Sequence, residues 1–335
     1  MRLTQNLLQK FARETVKRRQ RSELDLQAAY LTGSLLGDSP LLGGTTDIDL
    51  VLVHKFQKPV ERECQSLTPE VSLDIFHTLR DDYEQHKQLR LDPFLGYPLT
   101  YNHILLYDHE HWLEFIQSGV SANFHRTDTV LERVNRLITS ARDLWFSLLQ
   151  NPNEIHLNWL SQYFEILSLA ANAVVGLIGP PLNRRRFLLD FNTRVEALGT
   201  PKVLVGFYGL LGFSEDHINH LPEWIEAFKA DLVNLANNSE EPVHLSPCRH
   251  RYYLTALQTI ADSNAPRQIA WPLMRTWLDI QLASENFRGN LDTWNSCLSI
   301  LGLTKDSTSQ KIEALDAYLD NIEIVIEAWA NEYGI

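Results

Sequence analysis

Strand-like and helix-like segments are separated along this chain, and that separation limits the folds it can adopt. Short apolar segments typical of buried strands lie in the first third of the sequence, at residues 27–32, 47–54, 71–77 and 104–107. A helical segment, residues 3–20, precedes them. From about Trp112 onward, apolar residues recur at helical spacing. Strands followed by helices predict an α+β protein, in which a sheet with flanking helices precedes a helical bundle.

The helical part contains long amphipathic runs at residues 127–149, 156–178, 184–198, 222–236, 249–262, 269–285 and 310–331. A chain of 335 residues is long enough for two domains at about 100–200 residues each. Residues 117–122 contain Gly and Ser and are the best candidate for a linker. We therefore expect a sheet domain at residues 1–120 and a helical, substrate-binding domain at residues 121–335.

The chain is acidic, with a formal net charge of -12 at pH 7. A negative field opposes binding to nucleic acid and to anionic membranes, so a small-molecule substrate is favoured over a nucleic acid. Two basic runs, residues 17–21 and residues 184–186, stand out against this background. Such runs are typical either of solvated helix faces or of contacts with phosphate groups, and both interpretations stay open.

The cysteines and the apolar runs indicate the cellular compartment. Cys64, Cys248 and Cys297 are odd in number and widely spaced, which predicts neither a disulfide framework nor a zinc site. The N-terminal segment lacks the uninterrupted apolar core of a signal peptide. The longest strongly apolar stretch, residues 167–179, is shorter than the roughly 20 residues that cross a bilayer. We therefore expect a cytoplasmic protein without a membrane span.

Two acids lie two residues apart in the second predicted strand. Alternate residues of a strand point to the same face, so the carboxylates of Asp47 and Asp49 lie side by side. Like charges repel at that distance unless a divalent cation neutralises them, and carboxylate oxygens suit Mg²⁺. Asp74 lies on the face opposite Leu73 and Ile75 of the third predicted strand and completes the cluster if the two strands are neighbours. Three carboxylates predict a catalytic site for two Mg²⁺ ions.

A glycine-serine turn closes the first predicted strand. Gly33 lets backbone N–H groups approach phosphate oxygens, and Ser34 adds a hydroxyl donor. Thr45 and Thr46 lie just before the acids, and we expect them to stabilise the loop instead of binding phosphate. The turn and the acids together predict a site for a metal-bound nucleoside triphosphate.

This combination of residues resembles the signature of the nucleotidyltransferase (polymerase-beta-like) superfamily. The matching segments are residues 31–34, Leu-Thr-Gly-Ser, and residues 47–53, Asp-Ile-Asp-Leu-Val-Leu-Val, with Asp74 matching the third carboxylate. The resemblance implies a mixed sheet in the N-terminal domain. It also implies transfer of a nucleoside monophosphate from a triphosphate, with ATP the expected donor, to a hydroxyl group, releasing pyrophosphate.

The order of the two domains is similar to that of antibiotic (aminoglycoside) nucleotidyltransferases. This likeness concerns architecture alone. It implies that the helical domain closes over the acceptor.

Two residues of the helical part are further candidates for the site. Glu165 lies in an apolar helical run and could act as a general base toward an acceptor hydroxyl if it faced the cleft. An acid on the solvent side of the helix is the alternative. The arginines of residues 184–186 cannot all face one way on a helix, and we select Arg185 as the contact for the triphosphate.

Three functions fit this pattern. The first is a Mg²⁺-dependent nucleotidyltransferase that acts on a small hydroxylated acceptor, and the three acids favour it. The second is a non-catalytic nucleotide-binding or antitoxin-like interaction protein with the same fold. The third is modification of a macromolecule, by adding AMP to a protein or a nucleotide to an RNA end, and net acidity disfavours RNA. The acceptor, the preferred base and the oligomeric state stay open.

Overall fold

The computed structural model describes residues 3–37, 39–101, 105–150, 156–237, 241–284 and 291–335. The chain forms two compact units, of which the first comprises Met1–Arg126 and Pro242–Ala256 and the second Thr127–Glu241 and Leu257–Ile335. The first unit thus extends beyond residue 120, and it also includes residues 242–256, which the sequence analysis assigned to the helical domain. The α+β class is confirmed, with a mixed sheet in the first unit and a helical region after it.

Five strands form the sheet among the described residues: β1 (Leu26–Thr32), β2 (Thr46–His54), β3 (Arg62–Thr68), β4 (Val71–Leu79) and β5 (Leu105–Asp108). Their order is β3-β4-β2-β1-β5. The central strands β2 and β4 are parallel, and the other neighbouring pairs are antiparallel. The four predicted strands are confirmed, except that residue 104 lies outside the described residues.

The edge strand β3 has no counterpart in the sequence analysis. Its sequence, Arg-Glu-Cys-Gln-Ser-Leu-Thr, lacks the alternating apolar residues that indicate a strand. An edge strand tolerates this because charged side chains are common there and protect the edge from pairing with other chains. The register places Cys64 opposite Asp74 and Glu63 opposite Ile75, so alternate residues of β3 extend to the two faces of the sheet.

The helices of the first unit are α1 (Gln5–Ser22), α2 (His86–Leu91), α3 (Pro93–Gly96) and α4 (Trp112–Phe124). Helix α1 confirms the predicted N-terminal helix. Its buried residues Leu8, Ala12 and Val16 are spaced four apart and form one stripe, which belongs to the same apolar core as the sheet. Burial of that stripe, more than intrinsic helix propensity, stabilises α1.

The predicted linker at residues 117–122 is wrong because these residues lie inside α4. Gln117 and Val120 are buried there. Gly119 allows close packing and is not a hinge, since a Cβ atom on it would lie 2.1 Å from Nδ1 of His86. The sequence shows a Gly beside Ser but not the neighbour that requires the Gly.

The remaining helices are α5 (Thr127–Gln150), α6 (His156–Gly176), α7 (Phe187–Ala197), α8 (Pro201–Leu211), α9 (Leu221–Ala236), α10 (His250–Ala261), α11 (Ala270–Ala283), α12 (Asp292–Ile300) and α13 (Thr308–Glu332). The predicted helical runs are confirmed, except that residue 285 lies outside the described residues, while α8 and α12 have no counterpart in the sequence analysis. Aromatic packing fills the core of the second unit, where the rings of Phe187 and Trp271 stack 4.2 Å apart. In the described part of the chain, every helix is too short or too polar to span a bilayer.

Two cysteines form a disulfide bond within the first unit. Cys64 of β3 is bonded to Cys248, which lies 184 residues further along the chain, while Cys297 is a free, buried thiol. The sequence analysis predicted no disulfide framework, and the bond between Cys64 and Cys248 corrects that prediction. Spacing alone could not reveal the pair, because the bond depends on residues 242–256 folding back onto an unrecognised strand.

Because the disulfide closes a long loop, it restricts the unfolded chain, and the chain-entropy relation gives about 5 kcal/mol for a loop of this length. We expect a reducing agent to lower the free energy of unfolding of the wild-type protein by up to that amount in denaturant titrations. The double variant Cys64→Ser/Cys248→Ser should have the lowered stability with or without the reducing agent. Equal stability of the wild type in both conditions would contradict the stabilising role.

Candidate functional site

The three predicted acids meet on one face of the sheet. In the parallel pairing of β2 with β4, Asp49 lies directly opposite Asp74, and Asp47 lies two residues earlier on the same face. One carboxylate oxygen from each of the three lies within 4.8 Å of the others. Asp47 and Asp74 are buried, and Asp49 is half-buried. The structure therefore brings together the residues that the sequence analysis selected.

Gly33 lies in direct contact with this cluster. It begins a short 3-10 helix, Gly33–Leu36, immediately after β1, and it has a φ of +69°, which glycine adopts without strain. A Cβ atom at this position would lie 1.8 Å from Oδ2 of Asp49. The glycine thus gives the Asp49 carboxylate the space that it occupies.

The neighbouring hydroxyl groups support the loop between β1 and β2. Ser34 Oγ lies 3.5 Å from Thr46 Oγ1, and Thr46 Oγ1 donates a hydrogen bond to the carbonyl oxygen of Pro40 at 2.9 Å. Thr45 Oγ1 donates to the carbonyl oxygen of Leu42 at 3.0 Å. The prediction that the two threonines stabilise the loop is confirmed. The predicted contact of Ser34 with phosphate stays a prediction.

Two arginines that the sequence analysis missed bind the carboxylates. Arg62 donates from Nε to Oδ1 of Asp74 at 2.8 Å and from Nη2 to Oδ2 at 2.6 Å, a bidentate contact. Arg249 donates from Nη2 to Oδ2 of Asp47 at 2.7 Å and from Nη1 to Oδ2 of Asp74. Arg62 lies in the unrecognised strand, and 202 residues separate Arg249 from Asp47. No local sequence pattern could have paired them.

The segment 242–256 holds Arg249 over the acids. Its neighbour Cys248 is bonded to Cys64, and Cys64 lies opposite Asp74 in the register of β3 and β4. The guanidinium carbon of Arg249 also lies 4.8 Å from the ring centre of Tyr252. A covalent bond and an aromatic contact thus fix the position of the guanidinium group.

The charges of the cluster are nearly balanced. Burial works against the charge of Arg249, but its electrostatic interactions with Tyr253, Asp47 and Asp49 outweigh that effect and raise the pKa of the guanidinium above its ordinary value. Three formal carboxylate charges face the two guanidinium groups, which leaves one negative charge. Removing one partner from a buried ion pair leaves the other charge uncompensated, so each of these contacts matters for stability.

Glu165 and Arg185 belong to the second unit, whereas the acidic cluster belongs to the first. Glu165 lies on α6 with nearly half of its side chain exposed, and its Oε2 is 3.6 Å from Nη2 of Arg275. Arg185 lies in the turn before α7 and is buried. Their predicted roles as general base and triphosphate contact stay predictions.

Comparison with known proteins adds no relative: the chain matches no protein-family model and no curated protein sequence.

A substitution at Gly33 tests the packing of the site. We expect Gly33→Ala to lower the free energy of unfolding because it combines a left-handed backbone with a clash against Asp49. Gly44→Ala is the matched control, since Gly44 has a φ of +76° but no atom within 4 Å of its Cβ position. The backbone cost, about 1–2 kcal/mol, is common to both. The clash should add about 1–3 kcal/mol at Gly33. Equal losses in denaturant titrations would show that Asp49 is not held against Gly33.

Proposed function

We propose that the chain is a Mg²⁺-dependent nucleotidyltransferase that transfers a nucleoside monophosphate from a triphosphate, with ATP the expected donor, to a hydroxyl of a small acceptor. The observation that carries the proposal is the convergence of Asp47, Asp49 and Asp74 beside the Gly33 turn. The same residues carry the resemblance to the nucleotidyltransferase superfamily. Without the paired strands, three acids in a sequence would not define a site.

The donor set fits Mg²⁺. All three ligands are carboxylate oxygens, the donors that this hard cation prefers, and they lie close enough to need a positive partner. That partner is now Arg249, which binds oxygens of both Asp47 and Asp74. A cation that uses the same oxygens requires Arg249 to release them. Metal binding through these oxygens and the Arg249 contacts are therefore mutually exclusive.

The chain's own residues have distinct tasks in the proposed reaction. Asp47, Asp49 and Asp74 would hold the metal ions, and Arg62 would orient Asp74 through its bidentate contact. When bound, Mg²⁺ supplies activation of the attacking oxygen and stabilises the charge of the triphosphate and the leaving group. The backbone at Gly33 and the hydroxyl of Ser34 would bind phosphate oxygens.

The net charge of the chain bears on the acceptor. At -12, it favours a neutral or cationic small molecule over an RNA end. A hydroxylated, cationic sugar meets this requirement and offers the hydroxyl group that the reaction needs.

Ligand-induced stabilisation tests the proposal. We expect one nucleoside triphosphate to raise the unfolding temperature only with Mg²⁺, because a ligand that binds the folded state alone stabilises it by about 2.7 kcal/mol at 100 times its Kd. Asp49→Asn should remove the shift by weakening metal binding. The matched control is Asp81→Asn, a change at an exposed acid of the same unit.

The control variant should keep the full shift. A shift of equal size in Asp49→Asn, or no shift with ATP, GTP, CTP or UTP, would refute the proposed site. If binding is confirmed, release of pyrophosphate across a set of acceptors tests turnover.

Arg249 favours a second candidate function, a non-catalytic nucleotide-binding or antitoxin-like interaction protein. A guanidinium group that binds two of the three acids, next to a disulfide, is a stable structural solution for a site without a metal ion. In that case the acids and Arg249 maintain the fold, and the chain acts through contacts with a partner.

Replacing Arg249 separates the two functions. Arg249→Met should lower the free energy of unfolding by about 3–5 kcal/mol because Asp47 loses its buried counter-charge and Asp74 keeps only Arg62. If the acids form a metal site, millimolar Mg²⁺ should restore part of that loss. The control Arg251→Met changes a mostly exposed arginine whose partner is Glu70, and it should have little effect. Failure of Mg²⁺ to stabilise Arg249→Met or the wild type would favour the non-catalytic protein.

A further inference from the structure

A second cluster of ionisable side chains lies on the opposite face of the sheet. His54 ends β2 and His77 lies in β4, and both alternate with the acids along their strands. Glu63 of β3 shares the face of His77, since it pairs with Ile75. Because the sheet separates this cluster from the acids, the two can be tested independently.

The two histidines contact each other through nitrogen atoms. Nε2 of His54 lies 2.8 Å from Nδ1 of His77, and the rings stack with centroids 5.1 Å apart. Both side chains are fully buried. Oε2 of Glu23, at the end of α1, lies 4.0 Å from Nε2 of His54. The three ligand atoms of His54, His77 and Glu23 all lie within 4.8 Å of one another.

The outer nitrogens of the histidines face carboxylates. Nδ1 of His54 lies 3.4 Å from Oδ1 of Asp25, and Nε2 of His77 lies 2.9 Å from Oε1 of Glu63. With the contact between the two rings, this makes three contacts. Each of them needs one proton, or another positive centre, between its two atoms. Two neutral imidazoles carry two N–H groups, which are one too few. A metal ion between Nε2 of His54 and Nδ1 of His77 removes the need for a proton there. The two N–H groups then both point to carboxylates.

Glu23 is oriented as a third ligand. Arg19 donates to its Oε1 at 2.7 Å and also to Oε1 of Glu63 at 2.6 Å. Oε2 of Glu23 is buried and accepts no hydrogen bond within the described part of the chain. Arg19 thus holds Oε1 of Glu23, while Oε2 lies on the side of the histidines.

The charged side chains of the cluster carry a net charge of two negative units. Arg19 contributes one positive charge, and Glu23, Glu63 and Asp25 contribute three negative charges. A proton shared by the histidines would compensate only one of the two. A divalent cation compensates both, at a place where the carboxylates are partly buried and the two histidines fully buried.

We propose that His54, His77 and Glu23 bind one Zn²⁺ ion, which ties the end of α1 to the parallel strands β2 and β4. Two imidazole nitrogens and one carboxylate oxygen suit Zn²⁺ and do not suit Mg²⁺. The contacts of Asp25 and Glu63 with the outer nitrogens are the carboxylate–histidine pairs that orient zinc ligands. A tetrahedral ion separates two nitrogen ligands by roughly 3.3 Å, so the rings need to move apart by about 0.5 Å. Both histidines are fully buried and Glu23 is partly buried, and three protein ligands leave one coordination position for a further ligand.

Metal binding to the full-length protein tests this inference. The chain is stripped with a chelator, and Zn²⁺ binding is measured by calorimetry and by the rise in unfolding temperature. Co²⁺ serves as a spectroscopic probe, since nitrogen ligation gives visible absorption bands. We expect one Zn²⁺ per chain. Asp25→Asn should weaken binding about 10–100-fold through loss of an outer partner, and Glu23→Gln should weaken it more.

Two variants serve as controls. His250→Gln changes a half-buried histidine elsewhere in the first unit, and Asp49→Asn changes the acidic face; both should bind Zn²⁺ like the wild type. Absence of Zn²⁺ binding by the folded wild type would overturn the proposal. So would unchanged binding in Glu23→Gln, or a loss of binding in Asp49→Asn alone. Glu23→Gln keeps both histidines, so the test does not depend on variants that disrupt the core.

Discussion

The parallel pairing of β2 with β4 determines which side chains meet in the first unit. Its register sets Asp49 against Asp74 and Leu52 against His77, so the acids collect on one face and the histidines on the other. Strand side chains alternate with a period of two, and a slip of one residue would move every side chain of one strand to the opposite face. Apolar residues next to the acids in β2, including Ile48 and Leu50, are fully buried. A slip would expose them and would therefore be costly.

The two faces of this sheet differ in how their buried charge is compensated. On the acidic face, Arg62 and Arg249 bind Asp47 and Asp74, two of the three carboxylates. On the histidine face, Arg19 is the basic side chain that contacts two of the three carboxylates, Glu23 and Glu63. The first arrangement leaves one negative charge uncompensated, and the second leaves two. The same physical rule, that buried charge needs a partner, gives rise to both proposals.

Much of the first unit could be predicted from the sequence because apolar spacing reports burial. The strands around Asp47 and Asp74 are apolar enough to be recognised, and alternation fixes the face of each acid. Edge strand β3 carries no such signal. Neither does Arg249, which lies 175 residues from Asp74 and 202 residues from Asp47 in the sequence. Arg249 and Cys248 come from the segment 242–256, whose return to the sheet depends on tertiary contacts. The role of Gly119 is hidden in the sequence for the same reason, since its close neighbour His86 is not adjacent in sequence.

The bond between Cys64 and Cys248 changes what a break in the backbone would do. The residues between them include β4, β5 and the helices from α2 to α9. A protease that cuts the chain once within that stretch leaves both fragments in one covalent molecule, because the sulfur atoms still join them. Arg249 would stay attached next to β3 and close to Asp74 even after such a cut. The acidic face thus has a covalent closure that does not depend on an unbroken backbone.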